Sequence, residues 1–268
     1  MGNRLADSGP AHKSLLPREI LCYIMRRNEL RGRTRRRTRR SSGPFSINFD
    51  NNFCCCLNNK EVSVMIDNIH WLGHDTFRIV GEKVIYTDPF KIKKGDKADV
   101  ILITHEHYDH CSPDDVRKIQ TPETVVVAPA DCCEKLSGNL LVIKTGDKID
   151  AGGVEVEAVP AYNTNKKFHT KDRGWVGYIF TVKGQRIYIA GDTDLIPEMS
   201  AFKADVVLLP VSGTYVMTAE EAVRAALSIN PRIAVPMHYG SIVGTKDDAR
   251  RFAEGLKGKI EVVVLEEE

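Results

Sequence analysis

From Val62 to the C-terminus, short runs rich in Val, Ile, Thr and aromatic residues alternate with turn residues, the pattern of a chain built on β-sheets. Strands are predicted at 69–72, 76–79, 83–87, 99–103, 124–128, 140–143, 154–159, 177–182, 186–190, 205–210, 233–236 and 261–265. The segments 99–104 and 205–210 are almost uninterrupted apolar runs, which fits strands covered on both faces. Helices are predicted where capping residues meet helical periodicity: after Ser112, with Pro113 in the first turn; after Thr218, whose spacing to Glu221 is that of a capping box leading into 222–229; and over 247–256, closed by Gly258. Strands in both halves with helices between them predict two facing sheets flanked by helices, an α/β architecture.

Residues 1–64 lack any such period. They carry a net charge of +8, against −6 for the remainder, so the overall +2 conceals two unlike parts. The Arg-rich run from Arg31 to Arg40, an Asn-rich stretch and the triplet Cys54, Cys55, Cys56 bury too little apolar surface to offset ordering entropy. The expected division is a basic, disordered or non-native extension over 1–64 and one domain over 65–268, with Met65 as the start of the patterned chain. As native sequence the extension reads as an arm for nucleic acid or an anionic membrane, or as a targeting peptide, and nucleic acid enters only through it. No run of about eighteen apolar residues exists, so no membrane span is predicted. Cys111, Cys132 and Cys133 are the cysteines of the domain. Adjacent cysteines rarely pair, so reduced thiols and a cytoplasmic location are expected.

The chemistry concentrates in Thr104-His105-Glu106-His107-Tyr108-Asp109-His110, which places four strong metal ligands, His105, His107, Asp109 and His110, within six positions. Imidazole nitrogen and carboxylate oxygen are the usual ligands of zinc and similar divalent ions. The other candidates fall where predicted strands end: Asp192 after Ala190-Gly191, and His238 after Pro236-Met237. Strand ends hold side chains rigidly while the following loops admit a substrate.

In this order, Asp88 in Thr87-Asp88-Pro89, the His105 cluster, Asp192 in Gly191-Asp192-Thr193-Asp194, and His238 in Pro236-Met237-His238-Tyr239-Gly240, the chain resembles the metallo-β-lactamase superfamily from about Ile69 onward, its lactonase-like branch most closely. The resemblance implies a four-layer αββα sandwich of two mixed sheets and a centre of two divalent metal ions, zinc, manganese or iron. It implies that His105 and His107 hold one ion, that Asp109, His110 and His238 hold the other, that Asp192 bridges them, and that a metal-bound hydroxide attacks the substrate. Asp88 would steady a ligand by a hydrogen bond. A further histidine is expected after 154–159, but Pro160-Ala161-Tyr162-Asn163 stands there, so His169 is the expected third ligand, or else a residue contacting substrate. His74 reads as structural or as a neighbour of a ligand.

The activity so implied is hydrolysis of a small ester, lactone or phosphodiester, with Asp88, Asp109 and His169 as catalytic candidates. Lys166, Lys167, Lys171 and Arg173 suggest a small anionic substrate, or else a solvated basic loop. An RNA-processing nuclease of the same fold and a non-catalytic metal-binding protein are the alternatives. Oligomeric state is not legible.

Overall fold

The computed structural model describes residues 66–268 apart from residue 94. The expectations for 1–64, for Met65 as a boundary and for Cys54 to Cys56 lie outside the described residues. Six strands form the first sheet in chain order: β1 (Ile69–Trp71), β2 (Phe77–Val80), β3 (Val84–Thr87), β4 (Val100–Leu102), β5 (Val125–Ala128) and β6 (Asn139–Val142). Strands β1 to β3 pair antiparallel and β3 to β6 parallel. The second sheet runs β7 (Lys148–Asp150), β8 (Glu155–Pro160), β9 (Val176–Val182), β10 (Gln185–Ile189), β11 (Val206–Pro210), β12 (Ile233–Met237) and β13 (Glu261–Val262). It is antiparallel from β7 to β10 and parallel from β10 to β13.

Alternation along the buried strands builds the layers. In β4, Val100 and Leu102 enter the core between the sheets with Phe77, Ile79, Tyr178 and Phe180. Ile101 and Ile103 instead face outward, where Val116 and Ile119 of helix α1 (Pro113–Ile119) and Cys132 of the short helix α2 (Ala130–Cys133) cover them. On the far side, α3 (Ala219–Ile229) packs on β11 and α4 (Lys246–Leu256) on β12. The result is the four-layer αββα sandwich of two mixed sheets. Ser112 caps α1 as its position predicts, accepting from the Asp115 backbone N–H, and Thr218 with Glu221 forms the capping box of α3.

Three details differ from the pattern-based expectation. Strand β7 offers one apolar residue between Lys148 and Asp150, too little to show alternation, and forms because it adds to the edge of β8. Helix α2 is a single turn, too short for a periodic signal. Strand β13 ends at Val262 rather than 265, because the pairing with β12 closes with the bond from the Val263 N–H to the Ala234 carbonyl.

The parallel strands fix the site. Strands β3, β4 and β5 point one way in one sheet and β10, β11 and β12 share a direction in the other, so the residues after their C-terminal ends gather along one edge of each sheet. Asp88, Thr104 and His105 follow β3 and β4; Asp192, Ser212 and His238 follow β10, β11 and β12.

Candidate metal centre

Buried histidines converge on two adjacent points. At the first, His107 Nδ1 lies 3.1 Å from His105 Nε2 and 3.2 Å from His169 Nε2. At the second, ligand nitrogens of His74, His110 and His238 all lie within 4.8 Å of one another. Asp192 stands between the two: its Oδ2 is 3.1 Å from His169 Nε2, and its Oδ1 is 3.2 Å from His238 Nε2 and 3.5 Å from His110 Nε2. Gly191 makes this approach feasible. It adopts φ of +60°, and a Cβ there would sit 2.9 Å from the Thr104 side chain.

Hydrogen bonds hold the outward-facing nitrogens of His105, His110, His169 and His238. The Thr104 hydroxyl donates to Asp88 Oδ2 at 2.6 Å, so its oxygen accepts from His105 Nδ1 at 3.0 Å, leaving Nε2 without a proton. His110 Nδ1 donates to Asp88 Oδ2 at 2.9 Å, and the second oxygen of Asp88 accepts the Thr104 backbone N–H. His169 Nδ1 faces Asn163 Oδ1 at 3.2 Å, and the same oxygen accepts the His169 backbone N–H. Asn163 therefore orients His169 from the position where a histidine is expected, and its own amide is fixed by donation to the Tyr215 carbonyl. His238 Nδ1 meets Ser212 Oγ at 2.9 Å. Trp175 backs the first group, its ring 4.8 to 5.6 Å from all three imidazoles.

This arrangement fits divalent cations. His105 and His169 each turn a lone pair inward about 3 Å from His107 Nδ1, a donor set that suits such an ion. His110 Nε2, fully buried, has no hydrogen-bond partner among the described residues. With no cation present, protons take its place. Burial alone would lower His238 and His110, but Asp192 drives His238 up to about 9 and, with Asp88 and Asp75, raises His110 well above the ordinary imidazole range. Burial alone would raise Asp192, yet His238 and His110 hold it well below the usual carboxylate range. Burial pushes His105 well down and His107 down, so both present lone pairs near neutral pH.

The structure gathers every predicted site residue. His105, His107 and His169 form the first group; His110 and His238 belong to the second; Asp192 spans both; Asp88 steadies His110. Asp109 lies beside the second group, its Oδ2 3.1 Å from His74 Nε2 and 3.8 Å from His110 Nε2. His74 comes closer to the second group than a merely structural residue needs to, with its ring centroid 4.2 Å from that of His238. Backbone strain marks the same place. Among the described residues His74, Asp88 and His238 are three of the six non-glycine residues with positive φ. Sequence reasoning missed Asp75, fully buried next to His74, whose carboxyl burial pushes up to about 7 and whose Oδ2 lies 4.0 Å from His110 Nδ1. It also missed Thr104 and Ser212. The available signal was position alone, since all three directly adjoin a histidine or follow a strand end.

A family model described as a beta-lactamase superfamily domain matches residues 68–238. The chain belongs to this superfamily. Among curated relatives, a UPF0173 metal-dependent hydrolase of Thermoplasma acidophilum is 33% identical over 213 residues, spanning 74% of this chain and 93% of its own. A solved structure of a proposed metal-dependent hydrolase from Parabacteroides distasonis superposes with a TM-score of 0.67 at 36% identity, over 74% of this chain and 93% of that one. A proposed zinc-dependent hydrolase of the metallo-β-lactamase superfamily from Thermotoga maritima gives 0.52 at 25% identity, over 74% and 97%. This superfamily member is a metal-dependent hydrolase with a metallo-β-lactamase fold. No helix of the described residues is long and apolar enough to cross a membrane.

Proposed function

We propose that the protein hydrolyses a small ester or lactone, with a phosphodiester as the next choice, at a centre of two divalent cations. His105, His107 and His169 hold one; His110 and His238, with Asp109 alongside, hold the other; Asp192 serves both. The observation that carries this reading is the carboxylate of Asp192, within 3.1 to 3.5 Å of imidazole nitrogens from both groups. Zinc suits a set so rich in imidazole, and manganese and iron accept the same donors. When bound, the cations acidify water to give a nucleophile near neutral pH and draw off charge that develops on the oxygen under attack.

The chain's own residues prepare that chemistry. Asp88, Thr104, Asn163 and Ser212 hold the outer nitrogens of four histidines, so the inner ones keep their direction without reorganisation. Burial lowers His74 to about 4, which keeps it neutral at pH 7 and able to donate from Nε2 to Asp109. His74, together with His110, then holds Asp109 below the usual carboxylate range against the effect of burial, and this half-buried carboxylate is placed to orient water by accepting its hydrogen bond. The three free thiols Cys111, Cys132 and Cys133 accord with a reducing, cytoplasmic setting.

A non-catalytic reading draws its strength from Asn163 leaving the first group one histidine short, and His169 stands in that place. A panel of esters, lactones and phosphodiesters, assayed with metal-loaded wild type and Asp192→Ala, tests the proposal. Hydrolysis of an ester or lactone that falls at least about 100-fold in the variant is expected; undiminished hydrolysis by the variant would overturn the role given to Asp192.

A further inference from the structure

An aromatic pair stands beside each histidine group. Phe90 and Tyr108 meet edge to face at 5.9 Å, with Phe90 6.1 Å from the His74 ring. Phe168 and Tyr215 meet edge to face at 4.7 Å. Their backbones are tied to the site: Tyr108 lies between His107 and Asp109, Phe168 directly precedes His169, and the Tyr215 carbonyl accepts from Asn163. Among the described residues Tyr108 and Phe168 are the two aromatic side chains among the large exposed hydrophobics, at 68% and 52% exposure. Rings of this size gain roughly 1.5–3 kcal/mol when covered, and nothing in the fold requires these two to stay open to water.

The charged groups nearby point the same way. Lys166 is 2.5 Å from the buried carboxylate of Asp194; Lys171 pairs with Glu198 and lies over the Tyr162 ring; Arg173 lies over Trp175 and 3.9 Å from Glu106. Of the four cations of this loop, Lys167 alone has no ion-pair partner among the described residues. Beside His74 lies a cavity of about 140 Å³ with Leu72, Phe90 and Ile92 among its walls; the two lysines and two glutamates that also line it cancel in charge, and one of the lysines, Lys91, lies over the Phe90 ring at 4.9 Å.

We infer that Tyr108 and Phe168, backed by Phe90 and Tyr215, are specificity-determining residues that seat an apolar, aryl-bearing group of an uncharged ester or lactone. This deepens the hydrolase reading and rests on it for the bond that is broken. The edge-to-face pairing, with Tyr108 and Phe168 as the exposed members, leaves ring surface to stack on a planar group, and three of the four loop cations are already paired.

The test compares methyl acetate, methyl phenylacetate and dimethyl phosphate, followed by acid release in a pH-stat, on wild type, Tyr108→Ala and Phe168→Ala, with metal content measured alongside. In wild type, kcat/KM should be about tenfold higher for phenylacetate than for acetate, a difference of about 1.4 kcal/mol. Each variant should lose most of that advantage through KM while acetate turnover and metal content stay unchanged. Equal losses on both esters, no preference in wild type, or faster cleavage of the phosphodiester would overturn the inference. Saturation-transfer NMR with benzyl alcohol and with ethanol gives a readout free of turnover. Contact with benzyl alcohol alone, abolished in the Tyr108→Ala/Phe168→Ala double variant, supports the rim even if no ester is cleaved, in which case the hydrolytic reading fails and the aromatic seat stands; contact that survives in the double variant sinks the seat.

Discussion

Asp88 shows how much one side chain can organise: three hydrogen bonds from Thr104 and His110 converge on a carboxylate fully removed from water. Asp88→Ala should weaken metal binding about 10- to 100-fold, read by competition with a chromophoric chelator, with folding retained. The metal-free protein should carry a pH signature from His238. Its pKa rises from 6.5 to about 9 in the folded state, so its contribution to stability is full below pH 6.5 and is lost as pH climbs through 9. Urea unfolding in excess chelator should therefore show stability falling across that window, and Asp192→Asn should flatten the slope, because Asp192 is the chief cause of the rise. The residues proposed to hold metal were legible, since four stood in one motif, two more after strand ends, and His169 just beyond the place where a histidine was expected. The residues that aim them were not: Thr104, Asn163 and Ser212 are ordinary polar residues until the fold sets them against a ring nitrogen.

At the level of elements, the apolar runs and capping residues announced nearly every strand and three of the four α-helices of the described residues, because burial on one or both faces leaves a period in the chain. What escaped was decided by partners rather than by period, as with β7 on the edge of β8. The start of α4 was blurred for another reason: its capping box pairs Thr245 with Asp248, where Glu or Gln is the usual signal. Thr218→Ala removes the cap of α3 and should cost about 0.5–2 kcal/mol in denaturant unfolding without altering metal content. Gly177→Ala should do more. A Cβ there would come within 2.7 Å of the Ile189 carbonyl and 2.8 Å of that of Ala190, prising β9 from β10 just before the loop that carries Asp192. A loss of about 1–3 kcal/mol is expected, together with weaker metal binding.

For the whole molecule, two sheets face each other so that the ends of their parallel strands meet along one edge, and the centre draws ligands from both. Metal binding should therefore hold the sheets together. With free metal at about a thousand times Kd, linkage amounts to about 4 kcal/mol, and stripping the metal should lower Tm by on the order of 10 °C in a calorimetric scan. The facing sheets and the class of chemistry were readable from the order of motifs; the seating of His74 beside His238 and the aromatic flanks arise only from three-dimensional packing. The most direct test of the account is the divalent metal content of the purified chain after dialysis against metal-free buffer, measured by inductively coupled plasma mass spectrometry. About two ions per chain are expected, one for each histidine group. A ratio that stays at or below about one, even after reloading with zinc, manganese or iron, would contradict the paired centre.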